Sequence, residues 1–173
     1  MTSSPNCSNA LRFRTAASTD IEKLTALINA AFIVERPIFG GDRINAQEVR
    51  ERLRTGQFIL AEDEGGLAGC FYVELRGERA YLGLLSVDSS RQRSGIGSKL
   101  VAAAEDHCRS VGCRFLDLRI VSARQGLPEF YGRLGYSQTG TSRLPADVKP
   151  KVPCHFIHMS KPLVSVKSQR VPS

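Results

Sequence analysis

The stretch Gln92-Arg93-Ser94-Gly95-Ile96-Gly97-Ser98-Lys99 stands between an apolar run of strand character, Tyr81 to Val87, and a run of helical periodicity, Ser98 to Val111. Glycines at 95 and 97 keep Cβ atoms out of the turn, so several backbone N–H groups can point to one side. The helix behind them adds the positive end of its dipole. Such a turn is an anion site suited to a phosphate or pyrophosphate.

Two common phosphate binders do not fit it. A P-loop requires G-x-x-x-x-G-K-[ST], and the chain has no such string. A dinucleotide fingerprint would use Gly95 and Gly97 with Asp117 twenty residues on, but its third glycine is Leu100 here. Its first glycine also follows the strand directly, whereas Gly95 lies eight positions past Val87.

Working outward, alternation predicts a strand over 11–15. Thr19-x-x-Glu22 reads as a capping box before a helix with Ile21, Leu24, Leu27, Ile28, Ala31 and Phe32 at helical spacing. Pro37, Gly40 and Gly41 end it in a loop, and a short helix follows near 46–54. Strands over 57–62, 67–76 and 81–87 are joined by Gly-containing turns into an antiparallel meander. After the glycine turn come the helix 98–111, stopped by Gly112, a strand at 115–121, a short helix from Pro128 to Leu134, and strands at 136–141 and 154–160. The order β-α-α-β-β-β-α-β-α-β-β defines an α/β domain with a mixed, mostly antiparallel sheet and helices on both faces. The domain is expected over 11–163, with a flexible lead at 1–10 and a flexible tail at 164–173.

With 173 residues, 42% apolar and 24% charged, the composition suits one globular domain. No apolar run reaches membrane-span length and no signal pattern opens the chain, so a cytoplasmic protein is expected, without a membrane partner. Five scattered cysteines without a C-x-x-C pair argue against zinc or a disulfide framework. His155 and His158, three apart on a strand, face opposite ways, so no metal is expected. The net charge of +7 lacks the interleaved aromatics of a nucleic-acid surface. Part of it, Arg91, Arg93 and Lys99, brackets the glycine turn.

Between Tyr81 and Tyr136 the chain resembles the GNAT superfamily of acyl-CoA-dependent N-acyltransferases. Three pieces carry the resemblance: Leu84-Leu85-Ser86-Val87-Asp88 at a strand end, Gln92 to Gly97 opening a helix, and Phe130-Tyr131-Gly132-Arg133-Leu134-Gly135-Tyr136 about forty residues on. The resemblance implies a cleft where two parallel strands, 81–87 and 115–121, splay apart to admit acetyl-CoA. It assigns the pyrophosphate to Gln92, Arg93, Ser94, Gly95, Ile96, Gly97 and Ser98, and the pantetheine to main-chain groups of Leu85, Ser86 and Val87. Arg124 and Arg133 are further candidates for the cofactor; at the position of Arg124 many family members have Asn.

The same resemblance makes Tyr131 the general acid. A phenol with a pKa of about 10 stays protonated beside a thiol of about 8.5. The family's usual carboxylate base is absent, because its position is Gly83. Glu74, Glu35, a water chain, or an amine arriving neutral remain as alternatives. Glu35, Phe39, Arg43, Tyr72 and Tyr81 are the candidates for lining an acceptor pocket. Together these imply a monomeric or homodimeric enzyme acetylating a primary amine of a small molecule by direct transfer. The alternative is a catalytically silent acyl-CoA-binding regulatory module.

Overall fold

The computed structural model describes residues 10–92 and 94–163. The expected contact of Arg93, the tail and nearly all of the lead lie outside the described residues. In chain order the elements are β1 (Arg12–Thr15), α1 (Ile21–Ala31), α2 (Arg36–Phe39), α3 (Ala46–Thr55), β2 (Gln57–Asp63), β3 (Gly66–Arg76), β4 (Arg79–Val87), α4 (Ile96–Ser110), β5 (Phe115–Val121), α5 (Leu127–Arg133), β6 (Ser137–Ser142) and β7 (Phe156–Pro162).

These form a seven-stranded sheet in the order β1-β2-β3-β4-β5-β7-β6. Every pairing is antiparallel except β4 with β5. The β4-α4-β5 crossover makes that parallel pair, because a parallel neighbour requires a long return connection. β7 inserts between β5 and β6, an order that strand periodicity leaves open.

Alternation along the strands feeds two apolar clusters, one on each face of the sheet. Phe71, Val73, Leu82, Leu116 and Leu118 meet Leu100, Val101 and Ala104 of α4 on one face. Phe58, Leu60 and Tyr72 meet Leu24 and Ile28 of α1 and Val49 of α3 on the other. Each fully buried Leu or Phe in these clusters contributes about 1.5–3 kcal/mol.

Three local readings are corrected. The Thr19–Glu22 capping box is absent. A 3-10 turn at Ser18–Asp20 precedes α1, with the Asp20 carboxylate accepting from Ala17 N–H at 2.7 Å and from Arg14 at 2.8 and 2.9 Å. The strand residue Arg14 thereby captures the side chain that local propensity would use elsewhere. Where Pro37, Gly40 and Gly41 are expected to end the helix in a loop, the chain passes through a 3-10 turn at Phe32–Glu35 into α2, with Pro37 in its first turn, where its missing N–H is not needed. Val111, read as the last residue of the helix, is its exposed C-cap.

Glu105 shows how distant strands complete a helix face. It is buried on α4, where its carboxylate accepts from Lys161 Nζ of β7 at 2.9 and 3.1 Å and from Tyr136 Oη at 3.0 Å. A charged residue there needs those donors, which lie 56 and 31 positions on.

Candidate active site

β4 and β5 are paired only at Arg79–Phe115, Ala80–Leu116 and Tyr81–Asp117. Beyond those pairs the strands part, and the gap opens into a cleft of about 480 Å³. The parting coincides with a bulge in β4. Tyr72 pairs with Gly83 and Cys70 with Ser86, so Leu84 and Leu85 together oppose Phe71. Leu84 takes φ of 52°, left-handed backbone that is uncommon for a leucine and strained. The bulge turns Leu84 toward the α1/α3 face while Leu85 stays on the α4 face. A bulge leaves its extra residue out of the ladder, so main-chain groups of β4 border the gap where β5 has moved away.

On the α4 face, α4 begins from Gly95 in a left-handed conformation, φ 81°, with no side chain of the described residues capping the first turn. Among the described residues, a Cβ on Gly95 would meet nothing within 4 Å beyond its own chain neighbours. This open first turn and the neighbouring gap fit a pyrophosphate joined to an extended amide-containing arm. Gln92, Ser94 and Ser98 are exposed around it. Arg91 is committed instead to Asp63 and Asp88, fastening the preceding 3-10 turn. Arg133 is exposed at the end of α5 and does not line the cleft.

Tyr131 of α5 lines the cleft from the same face. Its ring packs edge-on against Phe130 at 5.0 Å and Tyr136 at 5.7 Å. Burial pushes its phenol well above the usual range, and nearby Arg124 only partly offsets this. The group therefore keeps its proton throughout the neutral and mildly alkaline range.

Glu35 and Arg124 meet each other. Arg124 Nη1 donates to Glu35 Oε2 at 2.8 Å, tying the segment after β5 to the turn after α1 across the cleft. Phe39, Arg43 and Tyr81 also line the cleft. Tyr72 and Glu74 do not. Tyr72 is fully buried, its hydroxyl between Thr55 Oγ1 at 2.7 Å and Glu74 Oε2 at 3.0 Å. Glu74 borders a second chamber of about 510 Å³ on the α1/α3 face. Burial would raise its carboxyl, but hydrogen bonds from Arg76 and Tyr72 outweigh that and hold it below the usual range, which weakens it as a base.

At Gly83, a Cβ would come 2.9 Å from Tyr81 Cε1 and 3.4 Å from Tyr81 Oη. The Tyr81 ring thus lies over the place where a side chain at 83 would stand. Sequence reading passed over Arg52 and Arg119, which line both chambers together with Tyr81 and Leu118. Arg119 was legible in one respect: it alternates with Asp117 onto the polar face of β5. No local signal marks Arg52.

A mixed sheet with one splayed parallel pair, a bulged strand and an open glycine turn at a helix start defines the acyltransferase class of fold. The sequence pattern of the Acetyltransferase (GNAT) family matches residues 21–136. The chain belongs to that family. It is 30% identical over 141 residues to a mycothiol acetyltransferase of Propionibacterium freudenreichii subsp. shermanii, covering 76% of this chain and 44% of that protein. The chain therefore spans less than half the length of this curated relative. Among solved structures, Ard1 from Thermoplasma volcanium superimposes with a TM-score of 0.73 at 17% identity, over 90% of this chain and 99% of that one. The yncA protein from Salmonella typhimurium, solved with its cofactor acetyl-CoA, gives 0.68 at 18% identity over 90% and 95%. Among the described residues no helix is long and apolar enough to cross a membrane, and no group of three or more His, Cys, Asp or Glu gathers as a metal site.

Proposed function

We propose that the chain is an N-acetyltransferase that moves the acetyl group of acetyl-CoA to a primary amine of a small molecule, by direct transfer with both reactants bound. The observation that carries this reading is the gap between β4 and β5, with Tyr131 at its wall and the open start of α4 on the same face. Acetyl-CoA supplies the activated acetyl thioester when bound. N–H groups from Ser94 through Ser98 hold its pyrophosphate, helped by Gln92. Main-chain groups of Leu85, Ser86 and Val87 pair with the pantetheine amides as an added strand would. Tyr131 holds a proton at Oη for the departing thiolate. Arg124, bound to Glu35, braces the cleft. Glu35 and Glu74 each have an arginine partner, so the amine loses its proton to water or arrives neutral.

The test is acetyl-CoA calorimetry together with a thiol-release assay over amines, amino acids and aminoglycosides. Saturable turnover on an acceptor supports the transferase. Tight acetyl-CoA binding with no turnover across the panel supports the silent regulatory module, which Gly83 in place of the family carboxylate favours. Absence of acetyl-CoA binding overturns both readings.

A further inference from the structure

The two chambers meet at a neck formed by Arg52, Tyr81, Leu118 and Arg119, the residues that line both. Their charged walls are unbalanced. Each of the four carboxylates bordering either chamber is already held by an arginine: Glu35 by Arg124, Asp42 by Arg36, Glu74 by Arg76 and Asp117 by Arg79. Three arginines on the same walls, Arg43, Arg52 and Arg119, have no carboxylate within ion-pair distance among the described residues. Two of the three stand at the neck.

These cations are also held in place without neutralisation. Arg119 lies 4.3 Å over the Phe156 ring and 5.9 Å from that of Tyr81; Arg52 lies 5.3 Å over Tyr72. Stacking on ring faces fixes a guanidinium plane and leaves its N–H edge free to donate. The acetyl-CoA phosphates do not account for them. The glycine turn opens α4 on one face of the sheet, whereas Tyr81 and Arg119 alternate onto the α1/α3 face, where Arg52 of α3 also stands.

Resting on the transferase reading above, we propose that the acceptor is an amino acid or similar small amine bearing a carboxylate. Arg52 and Arg119 bind that carboxylate at the neck and turn the amine toward the gap between β4 and β5. A guanidinium fork matches a carboxylate with two parallel hydrogen bonds. Three unneutralised cations disfavour polyamines, aminoglycosides and lysine-rich segments, which would bring further positive charge without any free carboxylate to receive it.

The experiment pairs each α-amino acid with its carboxamide, adds phosphoethanolamine and spermidine, and reads both thiol release and the thermal shift of the CoA-saturated protein. Carboxylates should exceed their amides at least tenfold in kcat/KM, and only the carboxylates should shift the melting curve. R119Q and R52Q should each raise the acceptor KM about tenfold and narrow the preference over the amide. Acetyl-CoA affinity should stay unchanged, and R119K should recover part of the loss. Turnover on amides or spermidine equal to that on carboxylates would overturn the anion site and keep the transferase. A carboxylate-specific thermal shift with no turnover would keep the anion site and overturn the transferase. Preference for phosphoethanolamine over every carboxylate, no shift and no turnover with any carboxylate, or an undiminished preference in both glutamine variants would each refute the proposal.

Discussion

Replacing Tyr131 by phenylalanine separates chemistry from folding at this site. The Tyr131 ring is buried, but its hydroxyl donates to no protein group among the described residues; it borders the cleft. Removing it orphans no buried partner, and the edge-on packing against Phe130 and Tyr136 survives because a phenyl ring keeps the same edges. Unfolding free energy should therefore change by less than about 1 kcal/mol. A positioned general acid is worth roughly 10²–10⁴ in rate. At 1.36 kcal/mol per decade, that raises the barrier by about 3–5 kcal/mol. The assay is thiol release at saturating acetyl-CoA with an acceptor from the panel, beside calorimetry of acetyl-CoA and a urea melt. The expected result is kcat down at least a hundredfold with binding and melt intact. A kcat within threefold of the parent, at unchanged binding, would refute Tyr131 as the proton donor. A lost melt would refute the packing argument.

Gly95→Asp should still fold, losing about 1 kcal/mol because a side chain enters left-handed backbone that Asp tolerates better than most, while acetyl-CoA affinity in calorimetry falls roughly 10–100-fold from charge repulsion at the helix start. Asp20 is a second target: its hydrogen bonds from Arg14 lower its pKa from 3.8 to about 2, against the opposing effect of burial. A depressed carboxyl stabilises the fold above its unfolded pKa and loses that contribution as pH falls through the folded value. About 2 kcal/mol should therefore disappear between roughly pH 4 and pH 2, and Asp20→Asn should flatten that limb in pH-resolved urea melts. Glu105→Leu should cost about 1–3 kcal/mol by stranding the buried Tyr136 hydroxyl, and adding Tyr136→Phe should recover part of it in a double-mutant cycle.

Much of the fold was legible because its signals are local. The 3.6-residue spacing of Ile21, Leu24 and Ile28, the Gly-marked turns of the meander and the Gly112 stop all act within a few residues of themselves. The glycine turn was legible for the same reason: two glycines in one turn state a backbone requirement wherever the chain goes. Tyr131 was legible only through its company, as one of several motifs in fixed order.

What the sequence by itself determined is therefore most of the inventory of elements, the single parallel crossover and the glycine turn that is proposed as the donor end of the site. Tertiary structure decided how the cleft is lined, and with it the acceptor end proposed above. The slot for β7 between β5 and β6, the phase shift at Leu84, the Glu35–Arg124 bond and the placing of Arg52 and Arg119 on the walls of the same chambers all depend on contacts between residues far apart in the chain. The physical reason is that charge balance is a spatial sum. Along the chain the arginines are simply numerous; only folding gives Arg76, Arg79 and Arg124 a carboxylate on these walls and leaves Arg43, Arg52 and Arg119 without one among the described residues.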